Sequence, residues 1–275
     1  MSSRLPIADS RQPIMSKSDA AVRRVPDPSI TAIQQEYGAT RSPRQRYADL
    51  VVGKDGWWPL VRHELTILSC SWIPGALGVW LRSRLYRLIL GGMGRNVAIG
   101  TNVVLRHPGK IFIGDGVVID DNCCLDAKGT TNVGITLEAG VFIGRNTMLS
   151  CKNGDITLGE GANIGINVGI TSSAQVRIGA RALIAAYTYF VGGDHLHDRV
   201  DIPILDQGRT AQGIDVGDHA WLGAHVVVTD GVRIGRDAII GAGAIVRENV
   251  PDFHVAAGVP AKVIKDRRHS DSAAD

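Results

Sequence analysis

The sequence predicts a mainly β protein, a parallel β-helix wound in six-residue steps. Three observations predict it. An aliphatic residue recurs every six positions from about Ile99 to Val246, most plainly at Ile113, Ile143, Leu158, Ile164, Ile178, Leu222, Ile234 and Ile240. Glycine follows each of these residues. Glycine is also abundant overall, at 33 residues, while aromatics make up only 5% of the chain, which suits stacked coils with many corners and an aliphatic core. A beat of six fits neither the helical period near 3.6 nor a simple alternation of two. A parallel β-helix does fit it, with three hexads to a coil and each beat residue stacked inward on its equivalents above and below. The glycine after the beat is expected to turn the corner with backbone angles that other residues avoid. The beat is interrupted by extra residues near Leu105, Leu149 and Ile170, and breaks fully only between Phe190 and Val216.

A length of 275 residues suggests one or two domains and allows a sizeable core. The net charge of +3 is too small to indicate a nucleic-acid partner by itself. Cys70, Cys123, Cys124 and Cys151 form no CxxC pair and read as reduced, partly buried thiols of a cytoplasmic protein. Cys123 and Cys124, being neighbours, are expected on opposite sides of a strand. The first residues are polar and carry Pro6 and Pro13, with no apolar stretch of a secretory signal.

Residues 1–48 mix Ser, Arg, Asp, Pro and Gln and read as a flexible basic arm, with a short helix near Ile30–Tyr37. Such an arm is either a solvated tail or an embrace of a neighbouring subunit or an anionic surface. Residues 49–94 differ. Trp57, Trp58, Trp72 and Trp80 cluster there, and Leu77, Leu81, Leu85, Leu88 and Ile89 recur at helical spacing among Arg82, Arg84 and Arg87. The apolar run Leu65–Leu81 is broken by Pro74-Gly75 and falls short of the roughly 20 residues of a spanning helix. Two readings stand side by side: helices lying at a membrane surface, or helices capping the first coil. On the first, the protein sits at the inner face of the membrane.

The coils begin after Gly94. Arg106-His107-Pro108 reads as a structural corner. Asp115, Asp120, Asp121 and Asp126 fall at turn or outward positions, where acids are solvated or bond turn amides. The polar stretch Lys128–Gly134 is expected to bulge outward. Asn163 and Asn167 are expected to join a stack of turn asparagines.

The beat occurs together with Trp221-Leu222-Gly223-Ala224, Ile240-Gly241-Ala242-Gly243-Ala244 and Ala256-Ala257-Gly258-Val259-Pro260-Ala261-Lys262. With these motifs, residues 95–266 resemble the hexapeptide-repeat acyltransferases, in particular the O-acetyltransferase type. The resemblance implies a left-handed β-helix, a homotrimer with sites between neighbouring helices, and acetyl-CoA as acyl donor without a metal. The excursion over residues 191–213 carries Gly192-Gly193-Asp194-His195, which looks like the family's catalytic motif and implies His195 as general base. A neutral imidazole, with a pKa of about 6.5 in short peptides, suits removal of a hydroxyl proton near neutral pH. His197 is the alternative base or a substrate contact.

By the same resemblance, a backbone N–H near Gly223-Ala224 meets the thioester carbonyl or its oxyanion, and Trp221 flanks the pantetheine arm. Ala242 and Gly243 admit that arm close to the backbone. The turn Gly258, Pro260 and Lys262, with Lys265, holds the nucleotide end, and Arg267 or Arg268 adds charge in the tail 267–275. Asn167 is the candidate acceptor contact. Arg247-Glu248 departs from the family, where some relatives carry Thr-Lys. The implied acceptor is a sugar, a glycan precursor or a glycosylated metabolite. Competing readings keep the fold: a non-catalytic scaffold, or a zinc carbonic anhydrase using His195, His219 and His225.

Overall fold

The computed structural model describes residues 42–269. The part of the basic arm before residue 42 and the helix expected near Ile30–Tyr37 lie outside them. Where the arm was expected to run on to residue 48, helix α1, Pro43–Tyr47, already stands, closed by a Ser42/Gln45 capping box. Among the described residues two compact units appear, the loop 195–210 and the remainder.

The remainder is the expected left-handed parallel β-helix of about eight turns. Its strands form three faces of seven, nine and seven strands, parallel except for the last strand of the second. The beat residues stack in register along each face. The first face aligns Ile113, Leu137, Leu158, Ile178, Val216 and Ile234. The second aligns Ile99, Ile119, Ile143, Ile164, Ile184, Leu222, Ile240 and Ala256. The third aligns Leu105, Leu125, Leu149, Ile170, Phe190, Val228 and Val246. These rows are buried and form the core.

The glycine after the beat has a different task from the one expected. None of the eight named above lies in the left-handed region; the positive φ falls two residues later, at Asn146, Asn167, Arg181 or His225. The glycine is required by the next coil instead. A Cβ on Gly114 would lie 2.7 Å from Ala139 N, and one on Gly217 would lie 2.5 Å from Arg236 N.

The interruptions of the beat all fall at one corner, between the third face and the first face of the next coil. Lys128–Gly134 is one of them, but it is not simply a bulge outward. Asn132 is buried within it, donates to Gly154 O at 3.0 Å and accepts from Lys110 Nζ at 2.9 Å. Asp115 and Asp121 bond the amides of Arg95 and Thr101, as expected of turn acids. Cys123 is buried and Cys124 faces outward, and all four thiols are free.

Helices α2, Trp57–Cys70, and α3, Gly75–Leu85, cover the open first coil. Arg82 is fully buried there and donates through Nε to Ile99 O and through one terminal nitrogen to Cys70 O and Ile73 O. Ser71 O and Val51 O accept from the first-coil amides of Asn102 and His107. At the far end Lys262–Asp266 pairs antiparallel with His254–Ala257 and closes the second face.

His107 is a structural corner residue. It is buried, lies at φ 53°, and hydrogen-bonds through Nε2 to Asp49 O at 2.7 Å. Burial holds its pKa below the ordinary histidine value. The folded protein therefore binds this proton less readily than the unfolded chain, so the contribution is present above about pH 6.5 and is lost as pH falls toward the folded pKa. Asparagine tolerates the left-handed corner. His107→Asn should flatten the loss of stability between about pH 7 and pH 5, read from urea melts at each pH.

Candidate functional site

The corner between the second and third faces carries most of the residues singled out from the sequence. In the early coils it is a column of asparagines at positive φ: Asn102, Asn122, Asn146 and Asn167. Asn favours this conformation more than other residues with a Cβ, since its short polar side chain bonds locally. Asn167 is thus a corner residue, its amide bonded to Arg145 O, while Asn163 faces outward on the second face. In the next coils the column changes to Tyr187, His225 and Gly243. Tyr187 and His225 stack face to face, with ring centroids 4.9 Å apart and planes 2° from parallel.

Beside this column lie the expected acyl-donor residues. Trp221 projects from the second face and is half exposed, between Leu183 and Ile239 of the adjoining coils. Gly223 is buried, and its N–H donates to Ile240 O at 2.8 Å. Ala224 O accepts from Gly243 N at 2.8 Å, and Ala224 N–H has no acceptor among the described residues. Of the two amides named from the sequence, Ala224 is therefore the one open to a ligand. Ala242 and Gly243 are exposed, and a Cβ on Gly243 would meet nothing within 4 Å. The strip is bare backbone open to the outside.

The turn after the last second-face strand continues the same edge. Gly258 lies at φ 98° and its carbonyl accepts from Ile245 N, while Ala261 N returns a bond to Ile245 O. Pro260 is exposed in this turn. Lys262 Nζ lies 3.3 Å from both carboxylate oxygens of Glu248. The departure at Arg247-Glu248 thus has a partner, one that the sequence spacing does not reveal. Lys265 is exposed and has no ion-pair partner among the described residues. Arg267 donates to Asp237 O, and Arg268 pairs with Asp266 at 2.7 Å, so both are held within the chain.

The loop 195–210 is a closed hairpin in its own right. Leu196 N donates to Gly208 O at 3.1 Å, and His197 Nδ1 lies 3.0 Å from His195 O. Gln207 cross-links it, accepting from Arg199 N and donating to Ile202 O. Arg199 pairs with Asp201. Val200, Ile204 and Leu205 are exposed.

The departure and return of this excursion are fixed in the β-helix. Gly192 leaves the third face so close to the coil below that a Cβ would lie 2.4 Å from Thr171 O. On return, the Asp230 carboxylate accepts from Gln212 N at 2.7 Å and from Gly213 N at 2.9 Å. Asp230 went unnoticed in the sequence. Its Asp-Gly pair after Val226–Val228 is the local signal of a turn that receives the returning chain. Burial raises its pKa, and these backbone donors pull the other way.

His219 and His225, weighed above with His195 as zinc ligands, occupy two different corners. His219 pairs with Asp237 at 3.5 Å, and His225 stacks on Tyr187. No cluster of three or more His, Cys, Asp or Glu suited to a metal is present among the described residues.

Residues 213–248 match the bacterial transferase hexapeptide family, of six repeats. A Mycobacterium tuberculosis protein named as a probable acetyltransferase is 31% identical over 75% of this chain, which spans 65% of that relative's length. Escherichia coli WbbJ, named for an O-acetyl transferase of lipopolysaccharide biosynthesis, is 30% identical over 58% of this chain and 84% of its own length. The galactoside O-acetyltransferase of Escherichia coli is 36% identical over 41% of this chain and 54% of its own. The β-helix with its corner strip is that of a hexapeptide-repeat transferase, and the chain belongs to the hexapeptide-repeat acetyltransferase family.

Asp230→Ala removes the acceptor for two backbone donors. It should cost about 1–3 kcal/mol in a urea melt and bring earlier proteolytic cleavage within residues 195–213.

Proposed function

We propose that the protein transfers acetyl from acetyl-CoA to a hydroxyl of a sugar, a glycan precursor or a glycosylated metabolite, with His195 as general base. The observation that carries this reading is the open strip from Ala224 through Ala242 and Gly243 to the Gly258 turn. It offers an unpartnered amide at one end and lysines at the other. A thioester carbonyl, an extended pantetheine arm and phosphates call for these groups in that order. The relatives' names, among them a galactoside O-acetyltransferase, support a carbohydrate acceptor.

In this reading His195 accepts the acceptor hydroxyl's proton as that oxygen attacks the thioester carbonyl. Ala224 N–H donates to the oxyanion so formed. The C–S bond then breaks, and the imidazolium returns the proton to the departing sulfur. No acyl-enzyme is required, because holding both substrates together already lowers the barrier. Trp221 flanks the pantetheine, Lys262 and Lys265 meet phosphate, and Asn167 and His197 serve the acceptor.

A homotrimer fits the chemistry of the three faces. The first face is polar outward, with Arg177 and Arg233 on Asp215 at 3.1 and 3.7 Å. The second exposes Val118, Phe142, Leu183 and Trp221, and the third exposes Val104, Met148 and Tyr189. Two apolar faces and one polar face suit a ring of copies with the polar face outside.

Free thiol release from acetyl-CoA against a panel of sugars and glycans tests the reaction. Release should require an acceptor, and His195→Ala should lower it by about 10²–10⁴. Acceptor-dependent release undiminished in that variant would remove His195 from the role. The Glu248–Lys262 pair is exposed on both sides, and such pairs contribute little. Glu248→Gln should therefore cost little stability, yet by removing a negative charge beside Lys262 it should lower the apparent KM for acetyl-CoA a few-fold, while Lys262→Ala raises it.

A further inference from the structure

The helices that close the first coil carry an apolar outer side in addition to the side that covers the coil. On α2 the buried side chains are Leu60, His63, Thr66 and Cys70, three of them polar or weakly polar. The opposite side carries Trp57, Trp58, Leu65 and Leu68, continued by Trp72 just after the helix. On α3 the buried positions are Gly78 and the charged Arg82, and the outward stripe is Leu77, Trp80 and Arg84, continued by Leu88. Each outward Trp and Leu of the two helices is 54–70% exposed. An amphipathic helix of a soluble domain places its apolar stripe inward. Leu60, Ile67, Leu81 and Leu85 do turn toward the core, but the outward stripes are apolar as well, and they hold four of the chain's five tryptophans. A contiguous exposed surface of this kind marks an interaction site.

Its chemistry selects the occupant. Indole combines an apolar body with one N–H donor and settles at the headgroup level of a bilayer. The charges around the stripes are mainly basic: Arg44, Lys54, Arg84 and Arg87 are exposed, and Arg44 lies over the Trp57 ring, 5.6 Å from its centroid. Of the acids, Glu64 is engaged by Tyr47 and His63, and Asp55 stands near Lys54 in sequence. No helix among the described residues is long and apolar enough to cross a membrane. Tryptophans flanked by guanidinium and ammonium groups on helices that do not span are the features of an interfacial docking face.

We propose that the outward face of α2 and α3 docks on an anionic lipid surface, with Trp57, Trp58, Leu65, Leu68, Trp72, Leu77 and Trp80 entering the headgroup region. The docking is independent of acyl transfer.

The full chain is floated with vesicles containing about one-third phosphatidylglycerol, and with vesicles of phosphatidylcholine alone. It should float with the first, less so as salt is raised, and weakly or not at all with the second. Tryptophan fluorescence should shift to the blue and be quenched by brominated acyl chains. The combined variant Trp57→Ser, Trp58→Ser, Leu68→Ser replaces only exposed side chains, and should lose about tenfold or more in vesicle affinity while keeping the wild-type melt, mass and thiol release. Absence of flotation and of quenching in the wild type overturns the proposal, whether or not the protein transfers acetyl. So does a variant that floats unchanged. A variant whose oligomeric mass falls would assign the face to contact between copies instead.

Discussion

The rest of the structure depends on how closely one coil lies on the next. Parallel strands stand about 4.8 Å apart. At most corners after the first and second faces, with Asp120, Glu138 and Ala185 as exceptions, the backbone of one coil meets the backbone of its neighbour with no room for a Cβ. Gly114, Gly144, Gly159, Gly217 and Gly223 all face a neighbouring backbone atom within 3 Å of where a Cβ would stand. That contact fixes the glycine, the glycine fixes the beat residue before it, and the left-handed residue two places later completes the corner. The third corner also has close backbone approaches, at Gly134, Gly154, Gly192 and Gly213, but its length is not fixed. Extra residues gather there, from the Lys128–Gly134 plug to the long excursion after Gly192.

This division between tight and loose corners separates the parts of the site. The tight corner between the second and third faces supplies a rigid strip, held to neighbouring coils through bonds such as Gly223 N to Ile240 O and Gly243 N to Ala224 O. A strip of fixed amides and missing side chains suits a long, extended ligand. The loose corner supplies freedom in length, so a hairpin with its own internal bonds can leave and return without disturbing the ladder. Asp230 and Gly213 hold the return in place. Precision comes from the ladder and variety from the corner where the ladder is slack.

Periodicity made the fold legible. Every beat residue named from the sequence is a buried member of a register row, since a six-residue period leaves no competing geometry. The resemblance brought forward a strip of residues that do share one edge of one helix. What stayed hidden depends on contacts between distant coils. The purpose of the glycines was misread because a close backbone approach and a left-handed turn call for the same residue type. Glu248 as the partner of Lys262 and Asp230 as the acceptor for Gln212 and Gly213 are pairings across 14 and about 18 residues, invisible without the stacking of coils. The double character of residues 57–93 was also unreadable, because a pattern of Trp, Leu and Arg does not say which side of a helix meets the core.

The first coil explains the inner side of that double character. A β-helix ends in an open ladder, and its terminal carbonyls and amides must find partners or remain exposed to further strand addition. Here they are met by polar groups from the covering helices: Arg82 for Ile99 O, Ser71 O for Asn102 N, and Val51 O for His107 N. Arg82 is drawn inward by the open edge. The outward tryptophans and leucines stand where water is a poor neighbour for them. Leu60, Ile67, Leu81 and Leu85 already meet the core's need for apolar cover, so the apolar outer face is more than closing the solenoid requires, and the surrounding arginines and lysines suit it to an anionic interface.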